Sequence, residues 1–193
     1  LSLYRTVLGI DPSLSATGIV ALQRDGDPGA WRLVYRHTVR PPAKGALVSR
    51  LEALYRDVYK AVLTAIAGRP EPMTAAAEDP SDFRVPGKSG VSQLIRFGAG
   101  VGVALLAAQC ACHELGLPLV TYGVNEWIPK VGGRRGGGWK HPMSHKDLLA
   151  QARLIIPGTT EATDDEVMAS ALALQHVLKV RHHQNMAGIG IGN

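Results

Sequence analysis

Apolar and polar positions along this 193-residue chain fall into blocks with two different periods. Residues 6–11 (TVLGID) make a nearly continuous apolar run that ends in an acid, and residues 18–23 (GIVALQ) make a second. Short runs rich in branched residues and bounded by turn formers predict buried strands. Asp25-Gly26-Asp27-Pro28-Gly29 is dense in turn residues. It leads to a third strand over 31–39, so the first three strands are expected as consecutive hairpins. Beyond Pro41-Pro42 the period changes. Leu47, Leu51, Leu54, Tyr55, Val58, Val62 and Ile66 recur at steps of three and four, one apolar face of a long helix that Gly68 and Pro70 close. A short apolar run over 73–77 stops at Glu78-Asp79-Pro80, so the fourth strand ends at a pair of acids. A helix is expected over 92–115, a fifth strand over 119–124 and a third helix over 144–156, stopped by Pro157-Gly158. Thr163 with Glu166 three residues later is a capping-box start for a last helix through about Val180. One domain over 1–181 is expected, with a disordered tail over 182–193.

Three strands, a helix, a strand, a helix, a strand and then helices make an α/β order. A helix between the fourth and fifth strands implies a parallel crossover. The order matches the ribonuclease H-like fold, a five-stranded mixed sheet flanked by helices on both faces, although other α/β topologies share the same element string. Hydrophobic residues make up 46% of the chain, enough for a core of that kind. No run of about 18 uncharged apolar residues is seen, so no membrane span is expected, and residues 1–11 lack the pattern of a signal peptide. Cys110 and Cys112 lie two apart on a helix and point to different faces, which argues against a mutual disulfide and for buried thiols in a reducing cytoplasm.

Net charge is +5, and its distribution says more than its size. Lys130, Arg134, Arg135, Lys140 and Lys146 stand in a stretch without an acid, most of it the glycine-rich run 132–141, expected as a mobile loop that tracks phosphates. Glu161, Asp164, Asp165 and Glu166 stand in a stretch without a base. Asp11 and Glu78 each end an apolar strand; if those strands are neighbours, the two carboxylates repel and call for a cation or a raised pKa. The N-terminus of the last helix brings Asp164 and Asp165 to the same edge. Oxygen ligands without clustered Cys or His favour Mg²⁺, with Mn²⁺ able to substitute. Two such ions suit phosphodiester hydrolysis. The plainer alternatives are a turn aspartate at Asp11 and acids that merely favour a helix N-terminus.

Leu8-Gly9-Ile10-Asp11-Pro12 with Thr17-Gly18, Glu78 followed by Phe83, Phe97-Gly98-Ala99-Gly100-Val101-Gly102-Val103-Ala104, and Thr163-Asp164-Asp165-Glu166 before Ala169 and Ala171-Leu172-Ala173-Leu174 together resemble the RuvC family of Holliday junction resolvases. The resemblance spans roughly residues 6–180. It implies a homodimer that cuts four-way DNA junctions with paired nicks, and a carboxylate site built on Asp11, Glu78 and Asp165. The family's last motif carries a second Asp, which here falls on Met168. Asp164 then takes that role through a shifted register, the site runs on three acids, or catalysis is lost. Gly98 and Gly102 mark either the dimer face or close packing against the sheet. Phe83, Arg84 and Lys88 follow Glu78 in an expected loop that offers two cations for phosphate and, unless Phe83 is a core residue, an aromatic for stacking on an unpaired base. The competing readings are a nuclease acting on flaps or RNA–DNA hybrids, a junction-binding protein without catalysis, and an actin-like phosphotransfer protein supported by the first motif alone.

Overall fold

A computed structural model of the chain describes residues 4–13, 15–24, 30–79, 90–128, 130–132 and 140–189. Its elements run β1 (Thr6–Asp11), β2 (Thr17–Arg24), β3 (Trp31–Val39), α1 (Leu47–Ile66), β4 (Met73–Asp79), α2 (Val91–Glu114), β5 (Leu119–Gly123), α3 (Val124–Trp127), β6 (Lys130–Gly132), β7 (Lys140–Pro142), α4 (His145–Ile155) and α5 (Asp164–Ile189). Five strands form one sheet in the order β3-β2-β1-β4-β5. β1 pairs antiparallel with β2 and parallel with β4, and β4 pairs parallel with β5. This is the mixed α/β sheet that the element order predicted.

The central strands are apolar at nearly every position because both faces of the sheet are covered. Successive side chains point to opposite faces, and β1 shows the split. Leu8 and Ile10 enter a cluster with α1 and α2, whereas Val7 enters a second cluster with α3, α4 and α5. β4 repeats it, with Ala75 and Ala77 on the first face and Ala76 on the second. On the second face α5 comes down onto the sheet at backbone distance. A Cβ on Gly9 would sit 2.0 Å from the carbonyl oxygen of Ala169, and one on Gly18 would sit 2.2 Å from that of Asp165. Only glycine leaves room for that approach.

Several expectations need correction. The last helix does not stop near Val180 but continues to Ile189, so residues 182–189 are helical backbone rather than disordered tail. No proline interrupts that stretch, and a formed helix propagates more easily than it nucleates. The basic stretch is not wholly irregular: Lys130–Gly132 and Lys140–Pro142 pair antiparallel as a two-stranded ribbon. By length and composition alone, Ile95–Glu114 of α2 is apolar enough to cross a membrane, with mean hydropathy 1.6. In this fold Val101, Ala104, Ala107, Ala108 and Ala111 of that helix are buried in the cluster shared with α1 and the sheet. Cys112 is buried, and burial pushes its thiol up to about 12, but Cys110 is only half-buried.

Candidate active site

Strand register builds the first half of the site. Ile10 of β1 lies opposite Ala77 of β4, so the next residue on each parallel strand, Asp11 and Glu78, ends up side by side at the same end of the sheet. The other neighbour of Asp11 is Gly18 on β2. Because Gly18 has no side chain, the first turn of α5 settles over it and delivers Asp165 to that end. Helix α5 is pinned there by its own cap. The backbone N–H of Thr163 donates to Oε2 of Glu166 at 2.9 Å, and the N–H of Glu166 donates to Oγ1 of Thr163 at 3.3 Å. This is the reciprocal capping box expected from the sequence. Thr38, at the end of β3, donates to Oε1 of Glu166 at 3.0 Å and ties the cap to the sheet.

Asp11 lies within electrostatic reach of both other carboxylates. Burial holds the Asp11 carboxyl well above its usual range, and the negative charges of Glu78 and Asp165 raise it further. Asp11 keeps some solvent contact as a residue, but its carboxyl lies deep among protein atoms. Glu78 is raised by burial and eased by a hydrogen bond from the Trp127 indole N–H to Oε2 at 2.9 Å. Asp165 is raised by burial and lowered by the positive charge of Arg40. Such a cluster is unfavourable without a cation or protons.

Asp164 behaves differently. Its carboxylate is mostly exposed and pairs with Arg153 at 2.8 Å, so it is turned away from Asp11 and Glu78. Met168 lies one turn beyond Asp165, buried in the same apolar cluster as Val7, Ala76 and Trp127, and adds no oxygen. The donor set is therefore three carboxylates. Oxygen-only donors with an excess of negative charge fit a hard divalent cation. Among the described residues no three Asp, Glu, His or Cys side chains converge on one point as they stand.

The basic positions divide. Lys130 opens β6, Lys140 opens β7, and Lys146 is exposed in the first turn of α4. Arg134, Arg135, Phe83, Arg84 and Lys88 lie outside the described residues. Gly98 and Gly102 are exposed, and among the described residues of the other elements nothing lies within 4 Å of a Cβ built on either, so no close packing against the sheet is seen there. With Ile95 and Leu106, which are 62% and 53% exposed, they form an open apolar stripe on α2. Two residues near the carboxylates escaped the sequence reading. Trp127 sits on a four-residue helix too short to leave a periodic signal, and Arg40 is a single cation after a strand.

No protein-family model matches the sequence, and no curated protein matches it. Solved structures do. A structure of Thermus thermophilus RuvC in complex with Holliday junction substrate superposes with a TM-score of 0.65 at 23% identity, covering 93% of this chain and 96% of that one. A second Thermus thermophilus RuvC structure gives 0.64 at 22% identity over 92% and 96%. The yeast mitochondrial Holliday junction resolvase Ydc2 gives 0.52 at 11% identity over 98% and 87%. Likeness of this degree over nearly whole chains establishes architecture, and this chain has the ribonuclease H-like fold seen in the RuvC structures.

Proposed function

We propose that this chain is a metal-dependent endonuclease that resolves four-way DNA junctions. The observation that carries the reading is the meeting of Asp11, Glu78 and Asp165 at one sheet end, where burial and mutual repulsion leave the cluster short of positive charge. Asp11, Glu78 and Asp165 would hold Mg²⁺, or Mn²⁺ in its place, with two ions the number that phosphodiester hydrolysis suits. The metal would activate water and stabilise the leaving oxygen of a phosphodiester. The chain itself supplies orientation: Gly18 seats Asp165, the Thr163–Glu166 cap fixes the helix that carries it, and Trp127 holds Glu78. The basic ribbon from Lys130 and Lys140, with Lys146, supplies phosphate contacts. The whole-chain likeness to a structure solved with a Holliday junction favours branched DNA as the substrate.

Paired nicks need two sites related by a two-fold axis. The open stripe of Ile95, Gly98, Gly102 and Leu106 on α2 is the face we assign to the homodimer. Met168 favours one second reading, a junction-binding protein that cuts slowly or not at all, because it leaves the acidic helix one oxygen donor short of the pattern it resembles.

The test is a labelled synthetic junction incubated with Mg²⁺, Mn²⁺ or EDTA, beside linear duplex, a flap and an RNA–DNA hybrid. Paired symmetric nicks on the junction alone, dependent on metal and absent in Asp11→Asn, are expected. Salt-sensitive junction binding without cleavage selects the second reading, and Met168→Asp is then the variant to assay. Equal cleavage of all substrates rules out junction selectivity.

A further inference from the structure

Trp127 joins three parts of the molecule that lie far apart in sequence. Its indole N–H donates to Oε2 of Glu78 at 2.9 Å. Its ring is 2% exposed and belongs to the buried cluster that contains Val7 and Ala76 of the sheet, Val167 and Met168 of α5, and Met143. The short helix that carries it is held at its start by Glu126, whose Oε2 accepts from the N–H of Gly123 at 2.8 Å. Trp127 precedes β6 closely and Met143 directly follows β7, so both roots of the basic ribbon are packed into the cluster that backs the carboxylates.

A carboxylate bound through one oxygen to a buried, rigid donor loses rotational freedom, and hydrogen-bonded partners of this kind orient metal ligands. Phenylalanine would fill most of the same volume but offers no donor. We infer that Trp127 is a positioning residue: by engaging Oε2 it sets the orientation in which the Glu78 carboxylate meets a divalent cation, and it anchors the basic ribbon to that same carboxylate. The inference rests on the carboxylate-site reading above.

Trp127→Phe tests it. In calorimetry on the DNA-free protein, Mg²⁺ affinity is expected to fall about tenfold, the lower end for losing a ligand's hydrogen-bond partner. Junction cleavage is expected to need correspondingly more Mg²⁺ for half-maximal rate, with the rate at saturating Mg²⁺ largely restored. A purely structural role would lower melting temperature without that split. A second measurement uses Trp31→Phe/Trp139→Phe, which leaves Trp127 as the only indole. Mn²⁺, a paramagnetic quencher, should quench its emission saturably, and Mg²⁺ should displace it. Mg²⁺ affinity in Trp127→Phe equal to the parent's overturns the positioning role and leaves the site reading standing. No binding of either ion to the parent overturns both. If Trp127→Phe fails to fold, the quenching decides: Mn²⁺ that binds by calorimetry without quenching Trp127 overturns the inference.

Discussion

Gly18→Ala is the sharpest perturbation of the site that leaves every charged group in place. The added methyl carbon would lie 2.2 Å from the carbonyl oxygen of Asp165 and 2.4 Å from its carbonyl carbon. Ordinary contact begins near 3.4 Å, and the obstacle is backbone, so no side-chain rotation relieves it. The first turn of α5 must therefore retreat from the sheet by roughly 1 Å, since close-packed interiors transmit such strain. Overpacking of this kind costs about 1–3 kcal/mol, which in a domain of this size lowers the melting temperature by roughly 2–12 °C. The larger effect is on geometry. Asp165 moves with the helix while Asp11 and Glu78 stay with the sheet, and a misplacement near 1 Å costs on the order of 100-fold in rate. Single-turnover cleavage of a four-way junction at saturating Mg²⁺, paired with a thermal melt, separates the two consequences. A variant that melts lower but cleaves at the parental rate would show that α5 position does not control the site. Parental values in both assays would refute the close approach itself.

Two further outcomes follow from the buried titratable groups. Asp11 has a raised pKa, so the folded protein holds a proton there that the unfolded chain has released, and stability falls as pH rises above the ordinary aspartate range. At pH 7 in EDTA, Asp11→Asn should therefore melt higher than the parent, while Mg²⁺ raises the melting temperature of the parent only. An equal Mg²⁺ shift in both proteins would remove Asp11 from the ligand set. His176 has the opposite sign. It is buried, with Thr74 Oγ1 3.0 Å from Nε2 and Tyr122 Oη 2.7 Å from Nδ1. Burial first, then the charge of Lys179, lowers it from 6.5 to about 4. The unfolded chain therefore takes up a proton that the folded state refuses, and stability is lost as pH falls from about 6.5 to about 4, by up to ~3 kcal/mol. Urea denaturation across that range should show a flatter profile for His176→Gln than for the parent; identical slopes would contradict the assignment.

The legibility of this protein in its sequence follows the reach of the forces involved. Strand and helix periods are local, so β1 to β5, α1, α2 and α4 fell within a few residues of their observed bounds, and the Thr163–Glu166 cap was readable because both its hydrogen bonds span three residues. The end of α5 was missed because no residue there forbids helix and nothing in a local pattern marks where it stops. The basic ribbon was missed because three-residue strands leave no period to read.

The same division runs through the site. The sequence by itself singled out the candidates for the chemistry: Asp11 and Glu78, each an acid at the end of an apolar strand where an unpaired charge is costly, and an acidic helix start at Asp164-Asp165. The tertiary structure separates those two neighbours physically, pairing Asp164 with Arg153 and setting Asp165, the one the family resemblance favoured, near Asp11. It also decided that Trp127 meets Glu78 and that Gly18 is the seat of α5. Residue type and local spacing fix what a side chain can do. Which of two adjacent acids faces a site depends on strand register and on how closely a helix can approach, and those are set by contacts between residues distant in the chain, more than a hundred positions apart where α5 meets the sheet.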